Sequence, residues 1–426
     1  MSSVVILGTQ YGDEGKGKFV DVLAGKADMV VRFQGGNNAG HTIILGEEKF
    51  VFNLLPSGVL YDKAKCIIAS GVVIDLHVFL KEVEVLKSRG RKVDHIFISD
   101  KAHLIMPYHI TLDKLKESNP SQKIGTTQRG IGPTYADKIN RVGIRVADLV
   151  DFETFKEKLK INVEEKNPIL TKIYGVESIN EEQILKDFAK YREQILSRVV
   201  DSSAEINSYL DNNKLVMFEG AQGSQLDIDF GTYPYVTSSS PSVGGVLIGS
   251  GISHKKIDKV VGIVKAYTTR VGNGPFVSEC LDSVGDTLRE KGFEFGAVTK
   301  RPRRCGWLDL IVLKSAVEKN ALTDMVITKL DILSHLPEIK VCIAYEIDGV
   351  KITTIPTDLK KLAQAKPVYK TFKGWNTDIS EVISFDKLPT EAQEYILFIE
   401  KFLEVSASIV SVGPERSQNI VRKQIV

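Results

Sequence analysis

The chain has 426 residues, 43% of them hydrophobic, which is enough to bury a large core in one large α/β unit or in two or three domains. Its 56 basic and 54 acidic residues leave a formal charge of +2, so the overall charge favours neither nucleic acid nor an anionic membrane as a partner. No apolar stretch approaches the roughly 20 residues that span a bilayer. The cysteines lack paired zinc-type spacing and no secretory signal precedes the first strand, so we expect a reduced, cytoplasmic protein. These cysteines are Cys66, Cys280, Cys305 and Cys342.

The first predicted strand, Val4 to Leu7, leads directly into a glycine-rich turn. Residues Gly12 to Lys18 fit the pattern of two glycines separated by four residues and followed by lysine, whose backbone N–H groups and ammonium converge on phosphate. Phe19 stands where such loops have a Ser or Thr that holds magnesium, so we expect the metal ligand elsewhere, and Asp13 is the obvious carboxylate. The alternative is a strand-to-helix turn that binds no ligand.

A second predicted strand, Met29 to Phe33, ends in another glycine-rich turn, Gln34 to Thr42. Ligands of open α/β sheets bind beyond the carboxyl ends of the strands, so we expect the two turns to face one site. His41 then comes near Asp13, although a lone histidine is more often structural. Further short apolar runs alternate with helical patterns and predict a largely parallel sheet. These runs are 66–69, 95–98, 215–218, 260–264, 325–328, 341–345 and 409–412.

Apolar stripes at helical spacing predict two core-packing helices, one within 76–86 and one within 392–403. The span 151–213 is rich in Lys and Glu, with helical periodicity and no strand signal, and predicts a mainly helical insertion in a single large α/β domain covering 1–426. Asp348-Gly349, between two short apolar runs, predicts a tight hairpin.

The segment Thr328-Lys329-Leu330-Asp331 closes a predicted strand and suits guanine recognition. A carboxylate accepts from N1–H and the exocyclic amine of guanine, whereas adenine presents an acceptor at N1 that would leave the carboxylate unpaired. An ordinary surface Lys-Asp pair is the alternative.

Other polar loops are candidates for small ligands. Residues 126–133, followed by Arg141 and Arg145, form a glycine-punctuated loop that could equally be a flexible surface segment. Residues 299–304 carry three arginines within four positions, which repel one another unless anions lie among them, so small carboxylates or phosphates are favoured over a polymer. Residues 218–223 and 231–239 are further loops of this kind.

Together, six segments resemble the adenylosuccinate synthetase family from near residue 3 to near residue 420. They are residues 8–18, 34–42, 125–133, 218–223, 231–239 and 328–331. The family joins IMP and L-aspartate with GTP and magnesium through a 6-phosphoryl-IMP intermediate, releasing GDP and phosphate, in the AMP branch of purine nucleotide biosynthesis. The resemblance implies a large, mostly parallel central sheet flanked by helices, related to P-loop GTP-binding folds. A GTP-binding regulatory switch is the alternative from another class of protein.

The resemblance also implies the roles of individual residues. Asp13 is the general base and a magnesium ligand together with the carbonyl of Gly40, and His41, Lys16 and Gln222 complete the catalytic set. For GTP the residues are Gly12, Asp13, Glu14, Gly15, Lys16, Gly17, Lys18, Gly40, His41, Thr42, Arg303, Lys329, Leu330, Asp331, Ser411, Val412 and Gly413. For IMP they are Asp13, Glu14, Gly15, Lys16, Asn38, Ala39, Gly40, His41, Thr127, Arg141, Gln222, Thr237 and Arg301. For aspartate they are Ala297, Val298, Thr299, Lys300, Arg301, Pro302 and Arg303.

Two further implications concern assembly and a departure from the family. Arg141 is expected to reach the IMP phosphate from the neighbouring subunit of a homodimer. Lys300 occupies a position where glycine is common in the family, and a bulky residue there would slow loop closure or alter aspartate affinity.

Overall fold

The structure is a computed structural model that describes residues 2–45, 48–121, 123–296 and 302–426. Its strands, in chain order, are β1 (Ser3–Gly8), β2 (Met29–Arg32), β3 (His41–Leu45), β4 (Glu48–Phe52), β5 (Lys65–Ile68), β6 (Val73–Ile74), β7 (Ile96–Ser99), β8 (His103–Leu104), β9 (Val199–Val200), β10 (Val216–Glu219), β11 (Lys259–Lys265), β12 (Thr268–Arg270), β13 (Arg304–Gly306), β14 (Leu308–Asp309), β15 (Asp324–Thr328), β16 (Glu338–Ile347), β17 (Val350–Ile352), β18 (Lys366–Lys373), β19 (Ala407–Ser411) and β20 (Asn419–Val421).

The helices lie mostly between these strands. They are α1 (Lys16–Ala24), α2 (Leu76–Ser88), α3 (Pro107–Ser118), α4 (Ile131–Asn140), α5 (Val146–Val150), α6 (Phe152–Pro168), α7 (Glu181–Ile195), α8 (Ser202–Asp211), α9 (Val243–Ser250), α10 (Ser283–Lys291), α11 (Leu310–Asn320), α12 (Leu359–Gln364) and α13 (Thr390–Leu403). Among the described residues, no helix has both the length and the hydrophobicity that crossing a bilayer requires.

A ten-stranded sheet forms the centre of the molecule, in the order β20-β19-β15-β11-β1-β10-β2-β5-β7-β9. Only β20 runs antiparallel to its neighbour. Strand β1 is buried on both faces, because Val5 and Leu7 join the core on one side and Val4 and Ile6 the core on the other. Burial on both faces explains why this strand is a continuous apolar run without polar alternation. The mostly parallel α/β sheet predicted from the sequence is confirmed.

The parallel arrangement brings the strand ends that carry the candidate motifs to one edge. The loops after β1, β2, β10, β15 and β19 all begin at the carboxyl ends of their strands. In the sheet, the loop after β1 lies between the loop after β10 and the loop after β11. The loop after β15 lies next to the loop after β11, on the side away from β1. The site is therefore assembled by the sheet from segments distant in sequence.

Several predicted elements are confirmed. Helices α2 and α13 cover the two apolar stripes, and β16 pairs with β17 across a turn in which Asp348 and Gly349 have positive φ, 52° and 76°. Positive φ at both central residues is the geometry that the Asp-Gly pair favours.

Three predictions need correction. The run 341–345 does not join the central sheet: it lies in β16, which pairs with β14, β17 and β18 in a second sheet. The span 151–213 is not free of strands, because β9 lies within it and extends the central sheet beside β7. The turn expected over 34–42 ends early, because β3 begins at His41 and pairs with β4.

Candidate active site

A buried carboxylate organises the turn after β1. Glu14 is fully buried; its Oε1 accepts hydrogen bonds from the backbone N–H groups of Gln10 at 3.0 Å and Gly12 at 2.9 Å, and its Oε2 accepts from Lys16 Nζ at 2.6 Å. A side chain at Gly8 would place its Cβ 2.4 Å from Glu14 Oε2. The glycine is therefore needed for this close approach, and Glu14 holds the first half of the turn in place.

Asp13 projects differently from Glu14. It has a φ of 58°, between Gly12 at 85° and Gly15 at 87°, and its side chain is 37% exposed. Its Oδ2 lies 2.8 Å from Arg303 Nε. The turn thus contains one acid that is used internally and one, Asp13, that is open to a ligand.

The structure separates the roles of the two lysines in the motif. The sequence pattern assigns the phosphate to Lys18, but Lys18 Nζ donates to Ser411 Oγ and to Gly413 O, both at 2.8 Å, in the loop after β19. Burial lowers the pKa of Lys18 to about 8. Lys16 Nζ instead donates to Gln222 O at 2.5 Å. The lysine that lies between the turn and the loop after β10 is therefore Lys16.

His41 begins β3 next to a buried acid. Its Nε2 lies 4.0 Å from Glu219 Oε1 and has no hydrogen-bond partner among the described residues. Glu219 is fixed by Ser57, whose N–H and Oγ donate at 2.7 Å and 2.9 Å. Burial lowers the pKa of His41, which favours the neutral imidazole. Sequence reasoning placed Glu219 at the end of a strand but gave it no role. Its position at a strand end could have marked it as a candidate site residue.

The loops after β2 and β10 meet at Gln222. Its Nε2 donates to Asn38 Oδ1 at 3.0 Å, and its Oε1 accepts from Gln34 Nε2 at 3.2 Å. Thr237 Oγ1 is buried without a partner among the described residues. Such an unpaired buried hydroxyl is costly unless a ligand satisfies it.

Helix α4 connects a more distant loop to this cluster. Tyr135 on α4 donates its hydroxyl to Gly71 O at 2.7 Å and accepts from the N–H of Gly35 at 3.0 Å. Thr127, before α4, and Arg141, which follows it with a φ of 66°, are exposed.

The Thr-Lys-Leu-Asp segment lies against the glycine-rich turn that follows β1. Thr328 Oγ1 donates to Glu14 O at 2.7 Å. Lys329 Nζ donates to Glu294 Oε1 at 2.8 Å. Asp331 Oδ1 is buried with no partner in the described part of the chain, and burial raises the pKa of this carboxyl. An unpaired buried carboxylate oxygen fits a site that a donor on a ligand completes.

The arginine-rich segment is only partly described. Residues Ala297 to Arg301, which include Lys300, lie outside the described residues. Arg303 pairs with Asp13 and with Glu294, and Arg304 pairs with Glu279. Protein carboxylates therefore compensate the charges of Arg303 and Arg304 in this structure, and anion binding by the segment stays a prediction.

Metal binding would depend on the substrate. Among the described residues no group of three or more His, Cys, Asp or Glu side chains could hold an ion by itself. The exposed Asp13 carboxylate supplies the hard oxygen that magnesium prefers, and magnesium commonly binds through one or two carboxylates plus substrate phosphates and water. The donor set fits this ion.

The fold and the cluster define an α/β protein in which a glycine-rich turn, the Thr-Lys-Leu-Asp segment and buried polar atoms unpaired among the described residues meet at one edge of a parallel sheet, as expected of a nucleotide-binding enzyme. The family model described as adenylosuccinate synthetase matches residues 5–420. The chain belongs to the adenylosuccinate synthetase family.

Relatives and a solved structure agree with this assignment. The chain is 55% identical to the adenylosuccinate synthetase of Fusobacterium nucleatum subsp. nucleatum over 426 residues, covering 100% of both, and 50% identical to that of Thermoanaerobacter sp. (strain X514) over 422 residues, covering 99% of both. The fully ligated adenylosuccinate synthetase of Plasmodium falciparum superposes with a TM-score of 0.92 at 43% identity, covering 99% of both chains.

The predicted family, fold and activity are thereby confirmed. The chain is a ligase with adenylosuccinate synthetase activity, uses GTP, and acts in the AMP branch of purine nucleotide biosynthesis. The alternative of a non-catalytic GTP-binding switch is set aside.

Proposed function

We propose that the loops at the carboxyl edge of the central sheet join IMP and L-aspartate, with Asp13 as the general base. Asp13 takes the N1 proton of IMP, and the resulting O6 oxyanion attacks the γ-phosphorus of GTP with loss of GDP. The amine of aspartate then attacks C6 of 6-phosphoryl-IMP, and phosphate leaves. The observation that carries this proposal is Asp13 itself, which is the exposed acid in a turn whose other acid, Glu14, is buried and fully used.

The ion pair between Asp13 and Arg303 has a consequence for this mechanism. Arg303 Nε lies 2.8 Å from Asp13 Oδ2, so the guanidinium orients the carboxylate of the base before IMP binds. The resemblance gives Arg303 roles toward GTP and aspartate as well, so this guanidinium connects the base to both of those substrates.

His41, Lys16 and Gln222 complete the catalytic set. A neutral His41 retains one N–H to donate as charge develops on the transferring phosphoryl group, and its Nε2 has no competing partner among the described residues. Lys16 supplies a fixed positive charge near the phosphates. Gln222 is held by Asn38 and Gln34, so its amide is oriented before IMP arrives.

Guanine specificity is assigned to Lys329, Leu330 and Asp331, with Ser411, Val412 and Gly413 closing the same base site. Two observations support this proposal. Asp331 Oδ1 is buried and unpaired within the described residues, and Lys18 joins the loop after β19 to the start of α1. In the glycine-rich turn after β1, the backbone N–H groups of Gln10 and Gly12 donate to Glu14. We therefore assign phosphate binding to the N–H groups in the second half of this turn.

Magnesium is assigned to Asp13 and the backbone carbonyl of Gly40. The ion, when bound, neutralises charge on the GTP phosphates. Asp13 replaces the hydroxyl that Phe19 cannot provide.

The remaining assignments concern IMP, aspartate and assembly. Asn38, Ala39, Thr127, Gln222, Thr237 and Arg301 bind IMP, residues 297–303 bind aspartate, and Arg141 reaches the IMP phosphate across a homodimer interface. The exposure of Arg141, at the end of a helix tied to the site by Tyr135, supports the role across the interface. A cytoplasmic location is inferred from four buried cysteines, none of them in a disulfide.

The test is adenylosuccinate formation by the purified chain with IMP, aspartate, GTP and magnesium, followed by absorbance. We expect Asp13→Ala to abolish turnover while retaining much of the GTP affinity, because the base acts on IMP. Asp62→Ala removes an exposed acid before β5 and serves as the control, with near-normal turnover expected. A near-normal rate in Asp13→Ala would refute the assignment of the base.

A further inference from the structure

A second buried acid, Glu294, connects two parts of the site that sequence reasoning treated separately. Its side chain is fully buried. Oε1 accepts from Tyr267 OH at 2.6 Å, Lys329 Nζ at 2.8 Å and Lys265 Nζ at 3.1 Å, and Oε2 accepts from Arg303 Nη1 at 2.8 Å. One carboxylate thus contacts three cations, two of which the proposed function assigns to ligands.

The charges explain why this arrangement is fixed. Burial alone would raise the pKa of Glu294, but Lys265, Lys329 and Arg303 together hold it well below its ordinary value, so the group is ionised. Without the carboxylate the fully buried Lys265, the mostly buried Arg303 and the partly exposed Lys329 would face one another, with little water between them to screen their repulsion. The positions of the two lysine ammonium groups and of the arginine guanidinium therefore depend on Glu294.

The backbone makes the same connection. The N–H of Arg303 donates to Glu294 O at 2.9 Å, and Phe295 and Pro302 form an antiparallel bridge beside them. Lys265 ends β11 and Lys329 follows the adjacent strand β15. Glu294 thus ties the backbone that carries Arg303 to the ends of two central strands, which are the rigid part of the fold.

We propose that Glu294 is a positioning residue that holds Lys329 for the guanine base and Arg303 beside Asp13, so that one carboxylate sets the affinity for both GTP and aspartate. The proposal rests on the proposed roles of Lys329 and Arg303. Glu294 itself contacts no substrate. It places two cations before the ligands bind, which reduces the conformational entropy that Lys329 and Arg303 lose on binding.

Glu294→Gln tests this with little change in size. The glutamine retains an acceptor for Tyr267 but loses the charge. We expect the KM values for GTP and for aspartate each to rise about 10-fold or more, within the range of typical coupling effects, while the KM for IMP stays within about twofold and kcat changes less than either KM. Glu294→Asp, which keeps the charge on a shorter stem, should recover part of the loss.

Tyr267→Phe is the matched control. It removes one hydrogen bond, from an uncharged donor, to Glu294 and leaves the three cations in place, so all three KM values should remain within about twofold of wild type. A double variant provides a second test in case Glu294→Gln alone folds poorly. Glu294→Gln combined with Lys265→Met removes one negative and one positive charge together, which keeps the net charge of the cluster, and it should still raise the KM for GTP and aspartate.

Three outcomes would overturn the proposal. The first is that the variants fold and their KM values for GTP and aspartate are unchanged. The second is that the KM for IMP rises as much as the other two. The third is that neither the single nor the double variant folds, which would make Glu294 purely structural. Adenylosuccinate synthesis by the wild-type chain is measured in the same assay, so a failure here is distinguished from a failure of the proposed function.

Discussion

Replacing Asp331 by asparagine tests the guanine site most directly. The proposed carboxylate accepts two donors of guanine, N1–H and the exocyclic amine, and hydrogen bonds to a charged group contribute about 1.5–3 kcal/mol each. Asparagine keeps one acceptor but turns an NH₂ group toward the guanine amine, so one bond is lost and two donors face each other. We expect a loss of about 3 kcal/mol, which corresponds to about 100-fold in affinity for GTP.

The structure gives a reason to expect a loss of this size. Asp331 Oδ1 is buried and has no partner among the described residues, so no neighbouring side chain there can take over its role. Xanthosine triphosphate carries a carbonyl where guanine has its amine, and this acceptor matches the NH₂ group of asparagine. The variant should therefore gain activity with xanthosine triphosphate while it loses activity with GTP.

The assay is kcat/KM for both nucleotides at saturating IMP and aspartate, in wild type and in Asp331→Asn. Asp378→Asn is the matched control, because Asp378 is an exposed acid whose charge acts on Asp331. It should change neither nucleotide by more than about twofold, as expected for a screened surface charge. An unchanged preference for GTP over xanthosine triphosphate in Asp331→Asn would refute guanine recognition by this carboxylate.

Two other predictions address assembly and acid stability. If Arg141 acts across a homodimer interface, mixing inactive Arg141→Leu protein with inactive Asp13→Ala protein should restore part of the activity; no recovery in the mixed sample would indicate a site complete within one chain. Burial, with Lys138 and Arg145 nearby, lowers the pKa of His103 to about 4. The folded state then binds this proton less readily than the unfolded chain, whose histidine titrates near 6.5. The contribution of His103 to the free energy of unfolding is therefore complete above pH 6.5 and is lost as the pH falls toward 4. The total loss is about 3 kcal/mol. His103→Gln should show a smaller fall in thermal unfolding midpoint between pH 7 and pH 5 than wild type, and an equal fall in both proteins would contradict the assigned titration.

Local features of the fold could be predicted from the sequence because their causes are local. The apolar run of β1 followed by closely spaced glycines predicts a strand and a turn, and Asp348-Gly349 predicts a hairpin because both residues tolerate positive φ. The Thr-Lys-Leu-Asp segment could be proposed for guanine because a carboxylate acceptor matches the two donors of that base. Asp13 could be singled out because Phe19 excludes the usual magnesium ligand.

Other features depended on contacts between segments far apart in the chain. Periodicity records that a run is buried but not which strand it pairs with, so the position of β16 outside the central sheet could not be predicted. Motif spacing could not decide between Lys16 and Lys18, because the deciding partners, Gln222 and Ser411, lie far along the chain.

The two buried acids show the same division most clearly. Sequence reasoning gave no role to either residue: Glu219 lies in the segment 218–223 only as a residue at a strand end, and Glu294 belongs to no motif. Only the tertiary structure places Glu219 beside His41 and Glu294 among three cations. The sequence by itself determined the first strand with its glycine-rich turn and the α/β class, because these depend on backbone conformation and hydrophobic pattern over short stretches. The folded sheet decided which charges meet, because electrostatic partners are set by proximity in space and leave no regular trace along the chain.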